Sequence, residues 1–144
     1  APLNYIGRDQ GYTTLIEPRD YFPDFQFTSL NVDEIWLRKN SGTLSAFLRA
    51  FIRAHQLFFE NKNLMVDIAM KETGIAKKYA IAAWEEYTTQ KIFSMDGCAN
   101  IKGIQTLIDV SALIREVKNR KGVPADNFID HQFLNKAANE LESR

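Results

Sequence analysis

The chain has 144 residues, 45% hydrophobic and 25% charged, enough for one domain with one hydrophobic core. Lysine plus arginine number 18 and aspartate plus glutamate number 18, so net charge supplies no drive toward nucleic acid or an acidic membrane surface. No apolar run approaches the roughly 20 residues of a membrane-spanning helix, and no signal peptide is visible.

The chain opens on Ala1-Pro2 without an initiating Met, which reads as a processed form or a fragment. Residues 2–10 are expected to form a short helix, with Leu3 and Ile6 apolar and Gly11 closing it. Residues 12–16, YTTLI, are β-branched and aromatic and read as a short buried strand. Glu17-Pro18-Arg19-Asp20 breaks it, and an aromatic loop with Pro23 follows at 21–25. Residues 26–37, QFTSLNVDEIWL, alternate in part and suggest a second, bent strand.

The organising element is the stretch 43–60, TLSAFLRAFIRAHQLFFE. Leu44, Phe47, Leu48, Phe51, Ile52, His55, Phe58 and Phe59 form one apolar stripe on the helical period. Asn40 or Ser41 is the expected N-cap, and Asn61-Lys62 ends the helix. Further helices are expected at 63–73, stopped by Gly74, at 76–90, and at 102–120, ended by Gly122 and Pro124. Their inward residues are read as Leu64, Ile68 and Ala69, then Ala80, Ala83, Trp84 and Tyr87, then Ile104, Leu107, Ile108, Ile114 and Val117. The last helix, 131–142, has Asp130 as N-cap and a stripe of Phe133, Leu134, Ala137, Ala138 and Leu141.

Residues able to do chemistry are sparse. Cys98 is the only cysteine, so there is no internal disulfide and no convincing zinc set. His55 sits on the apolar stripe and His131 in the first turn of a helix, which argues for packing or surface roles. Asp9, Glu17, Asp20 and Asp24 cluster loosely without the spacing of a general acid and base. Glu85 and Glu86 are adjacent on a helix and point apart. No catalytic residue, metal or cofactor is expected.

The two stretches read as strands are too few for a stable sheet of their own. They look made to join a sheet whose other strands lie upstream, as in the C-terminal part of a larger α/β protein. Here a resemblance enters. The run from Gly11 through Val32, then Trp36 onward, resembles the C-terminal half of periplasmic substrate-binding proteins of ABC transporters, of the nitrate, sulfonate, taurine and thiamine-pyrimidine type. That family's helix of the form N-P-x-x-L-x-A-F-L-R-A-x-x-R-A is matched by Asn40, Leu44, Ala46, Phe47, Leu48, Arg49, Ala50, Arg53 and Ala54. Ser41 replaces the usual Pro. The pattern D-x-x-F-L-x-K-A that opens its last helix is matched by Asp130, Phe133, Leu134, Lys136 and Ala137.

The resemblance implies a mainly α chain with a few N-terminal strands, a C-terminal fragment of a two-lobe α/β fold of the type II binding-protein kind. Residues 1–37 would hold strands, crossover remnant and hinge, and 38–144 the helical region, treated as one folded unit. It implies a non-enzymatic protein in the periplasm or at the cell surface. Its ligand would be small, anionic or heterocyclic, and its partners an ABC transporter permease and the missing N-terminal lobe. Pro2 and Asn4, in the remnant of a cleft loop, are the ligand-binding candidates. Two alternatives stand beside this reading. One is a fragment of an enzyme sharing the two-lobe fold, a pyrimidine-precursor synthase or decarboxylase; the Cys-rich motif of the fungal synthases is missing. The other is a helical interaction module in which Tyr21, Phe22, Phe25 and Phe27 dock a partner. Burial of those rings is the expectation, because large aromatics are mostly core, and their exposure would favour the module.

Overall fold

The structure, a computed structural model, describes residues 2–26, 28–114 and 123–143, with Pro2 described through its backbone only. Among the described residues six α-helices follow one another: α1 (Pro2–Asp9), α2 (Glu34–Glu60), α3 (Lys62–Thr73), α4 (Lys77–Thr89), α5 (Ile101–Leu113) and α6 (Gln132–Glu142). Short 3₁₀ turns lie at Pro18–Asp20 and Ala125–Phe128. No strand occurs among the described residues. The expected α/β class with N-terminal strands is therefore overturned, and the two-lobe fold with it.

The physical reason lies in what a strand needs. Residues 12–16 have the composition of a strand, but a strand takes its backbone hydrogen bonds from a neighbour. Among the described residues no neighbour is supplied, and 12–16 and 28–33 are irregular. Leu15 is 92% exposed and Ile16 64%. Phe27, within the second expected strand, lies outside the described residues.

The helices are closer to expectation because each satisfies its own backbone. Gly74 ends α3 in the left-handed region (φ 70°), its N–H donating to the Met70 carbonyl at 2.9 Å. Asn61 both follows α2 and caps α3, accepting from the Leu64 N–H at 3.1 Å. The N-cap of α6 is His131, without a side-chain cap, not the expected Asp130, whose carboxylate accepts from the Gln132 N–H at 2.8 Å one residue earlier. α5 begins one residue before the expected start. The end expected for it at 120, with Val117 and Gly122, falls in 115–122, outside the described residues.

The largest difference is at α2, which begins at Glu34 and absorbs part of the second expected strand. Asp33 caps this start, accepting from the Trp36 N–H at 2.7 Å. The helix breaks at Asn40 (φ −132°, ψ 28°) and resumes at Ser41. The Asn40 amide donates to the Trp36 carbonyl at 2.8 Å, meeting one acceptor the break leaves open.

The chain folds as two compact units, Ala1–Ile16 with Phe51–Gly97, and Glu17–Ala50 with Cys98–Arg144. The first is built on α4 packed against α1 and α3. Ile52, Val66 and Ala80 are its buried apolar residues. Leu64 and Ile68, expected inward, are exposed: α3 turns Val66 to the core instead. The Trp84 indole N–H donates to the Phe58 carbonyl at 2.8 Å. Phe58 and Tyr87 meet Phe93 with ring centroids 5.3 and 4.8 Å apart.

The second unit buries Leu44, Leu48, Ile108, Ala125, Leu134 and Ala137. Phe47, expected on the buried stripe, is 49% exposed, and Leu107 and Ile114 are exposed as well. Gly103 is buried in α5 against the segment before α2. A Cβ there would stand 1.9 Å from the Asp24 carbonyl oxygen. The segment through Asp24 and Gln26 thus seats directly on the start of α5.

Candidate functional site

Two features of the folded units offer themselves for recognition. One is the chain from the 3₁₀ turn at Pro18–Asp20 into the start of α2, within the second unit. Pro18 and Pro23 restrict it locally. The Tyr21 and Phe22 N–H groups both donate to the Pro18 carbonyl, at 3.1 and 2.9 Å, and the Phe25 N–H to the Phe22 carbonyl at 3.2 Å. Beyond it, the Asn100 N–H donates to Gln26 Oε1 at 3.0 Å and the Asn100 amide to Asp24 at 3.3 Å. Asn100 is itself the N-cap of α5, accepting from the Gly103 N–H at 3.2 Å. The turn is thereby pinned at its C-terminal end. Its rings stay outside: Tyr21 is 68% exposed, Phe22 45% and Phe25 36%. The expected burial of these aromatics is not what the fold produces; Phe27 is outside the described residues.

The other feature is a cavity of about 360 Å³ in the first unit, lined by Lys62, Asn63, Val66, Asp67, Lys77 and Ile81. It lies where α3 and α4 begin. The size suits a small molecule. Lys62 is engaged elsewhere, with the Glu85 carboxylate at 2.7 Å and 5.4 Å from the Trp84 ring centroid. The sequence reading did not single these residues out. The only signal was the Lys77-Lys78 pair opening a helix, where basic residues oppose the macrodipole.

The residues the sequence did single out are dispersed. Pro2 and Asn4 both fall in the first turn of α1, and Asn4 is exposed. Asp9 does not join an acidic cluster. It accepts from the Tyr79 hydroxyl at 2.9 Å and pairs with Lys78, tying α1 to α4. The hydrogen bond from Lys78, then that from Tyr79, holds the Asp9 carboxyl below its ordinary range, and the same bond to Asp9 raises Lys78. Glu17, Asp20 and Asp24 belong to the second unit. Among the described residues no group of histidine, cysteine and acidic side chains is arranged to hold a metal.

Glu85 and Glu86 reach different partners, Lys62 and the Tyr5 hydroxyl. His55 is held at Nδ1 by the Phe51 carbonyl at 3.0 Å and lies 4.2 Å from the Phe51 ring centroid, a packing role. His131 is half-buried before α6, and its Nε2 has no hydrogen-bond partner among the described residues. Cys98 is half-buried.

Within the second unit, α2 and α6 are linked by side chains. Arg49 forms an ion pair with Glu140 of α6, and the Ser45 hydroxyl donates to the same carboxylate at 3.4 Å. Leu44 and Leu48 of α2 and Leu134 and Ala137 of α6 are buried. No helix among the described residues is long and apolar enough to cross a membrane. Comparison with protein-family models, with curated proteins and with solved structures gives no match to this chain.

Proposed function

We propose that this chain is part of a solute-binding protein that captures a small anionic or heterocyclic ligand and delivers it to an ABC importer. The reading rests on the resemblance of 40–54 and 130–137 to the family's patterns. One structural observation supports it most. α2 breaks at Asn40 and resumes at Ser41, where the family carries Pro. A proline suits the first position of a helix, because its ring fixes φ and its missing N–H has no partner there. The break therefore falls where the family's Asn-Pro would require one. The reading concerns what the chain serves; the two-lobe α/β architecture is not part of it.

Such a protein works by binding, not by chemistry. A ligand that favours one conformer shifts the population toward it, and the importer reads that conformer. A periplasmic or cell-surface location and an importer permease as partner follow from the reading. Calorimetric titration of the protein isolated from its native host tests it, using nitrate, taurine, a longer sulfonate and an aminopyrimidine. Saturable binding of one of them is expected. Absence of binding for all four would remove the reading.

A second reading has its own observation. Exposure of Tyr21, Phe22 and Phe25 favours a helical interaction module that docks a partner through this turn. Substituting Phe22 by Ser should then leave ligand titrations unchanged and weaken association only.

A further inference from the structure

The loop after α4 in the first unit carries the sequence Ser94-Met95-Asp96-Gly97. Asp96 is the only aspartate in the chain that glycine follows, and glycine follows no asparagine. These residues form a turn in which the Gly97 N–H donates to the Ser94 carbonyl at 3.4 Å, longer than the usual range for such a bond. The Gly97 nitrogen is thus held loosely. Met95 and Asp96 are exposed, so water reaches the turn.

The fold requires glycine at 97. Its φ of 74° lies in the left-handed region. A Cβ there would stand 2.6 Å from Cε1 of Phe51 on α2. A side chain at 97 would also crowd the approach of the preceding carboxyl to the backbone nitrogen. The residue that lets the turn close against Phe51 therefore leaves that nitrogen open to Asp96.

We propose that Asp96-Gly97 is a site of spontaneous modification, where the chain isomerises to isoaspartate and loosens the seat of Phe51. The Gly97 nitrogen attacks Cγ of the protonated Asp96 carboxyl and forms an N–Cγ bond. Its proton leaves with the carboxyl hydroxyl as water, and a cyclic succinimide results. Water then adds to either ring carbonyl. Cleavage of the new N–Cγ bond restores aspartate. Cleavage of the original bond, between the nitrogen and the main-chain carbonyl carbon of Asp96, leaves isoaspartate, with the chain running through Cγ. The water lost is regained, so mass is unchanged and neither oxidant nor cofactor enters. The product lengthens the main chain by one methylene directly before Gly97. There is no room for that on the Phe51 side, and the Phe51 ring lies 4.2 Å from that of His55. Extra bulk forced into such a contact destabilises it.

The 144-residue chain, folded or in guanidinium chloride, is incubated for weeks at neutral pH, digested, and mapped for isoaspartate by enzymatic methylation of its free carboxyl. Isoaspartate at 96 should exceed that at every other aspartate at least about ten-fold, and the folded chain should form it no more than about ten-fold more slowly than the unfolded one. Asp96→Glu keeps the charge but would need a larger ring, and should abolish the product. The isoaspartyl form, separated by reversed-phase chromatography and refolded, should melt at least about 2 °C below the parent chain. Isoaspartate spread evenly over the aspartates, or a folded chain slower than the unfolded one by more than about ten-fold, would overturn the site. An isoaspartyl form that melts with the parent would overturn its link to Phe51.

Discussion

The pair α3 and α4 and the stretch 12–33 have similar apolar content and opposite fates. α3 and α4 pack against each other and bury Val66 and Ala80 almost completely, and α3 is capped at both ends by Asn61 and Gly74. The stretch from Tyr12 leaves Leu15 nearly bare and, among its described residues, forms no strand and only the 3₁₀ turn at Pro18–Asp20. A helix closes its hydrogen bonds within itself and then needs only one face covered. A strand-type sequence needs a neighbour before either its backbone or its side chains are satisfied.

Hydrogen exchange should show this contrast most strongly. The amides of 13–16 and 29–32 should exchange at least about a thousand-fold faster than those in the middle of α4, since local opening free energies run from near zero to the full stability. Protection of 13–16 equal to that of α4 would mean that the stretch is paired after all.

Gly103→Ala comes next. In an exposed helix this change stabilises by up to about 1 kcal/mol. Here the new methyl would meet the Asp24 carbonyl, so a loss of about 3 kcal/mol is expected in denaturant titrations. A stabilised variant would show that the Asp24 segment does not sit on α5. Leu48→Ala should cost about 2–4 kcal/mol as a buried side chain is lost. Leu15→Ala should stay within about 0.5 kcal/mol. Equal effects for these two leucines would erase the distinction between core and uncovered stretch.

Asn61→Ala should cost about 1 kcal/mol, because Asn61 supplies a side-chain cap to α3. The smallest effect belongs to Asp9. Its carboxyl is held below the ordinary range of about 3.9. Its contribution is thus present above that value and lost as pH falls through the lowered folded-state value. Lys78 is raised, so its contribution is present below about 10.4 and lost at higher pH. Melting temperatures of Asp9→Asn and the parent chain should differ slightly at neutral pH and converge as pH falls through the lowered folded-state value. A difference that persists undiminished there would mean that Asp9 acts through something other than its charge.

Arg49 of α2 and Glu140 of α6, far apart in sequence, are joined by an ion pair that the sequence did not announce. The candidate site was hardly legible. Pro2 and Asn4 share the first turn of α1, whereas the cavity at the starts of α3 and α4 depends on side chains far apart in sequence and was not anticipated. Asp33 ahead of Glu34-Ile35-Trp36 is a cap signal in the sequence, but the partial alternation of 26–37 points to strand and masks the start of α2.

Helix periodicity, Gly74 and Asn61 determined the helical elements from the second half of α2 onward, because those signals act within a few residues of one another. Which side chains of each stripe are covered was decided by tertiary packing: Val66 rather than Leu64, and Leu48 rather than Phe47. The fate of 12–16 was decided there too. β-Branched composition states what such a segment prefers to pair with, and only the folded chain determines whether a partner edge is within reach.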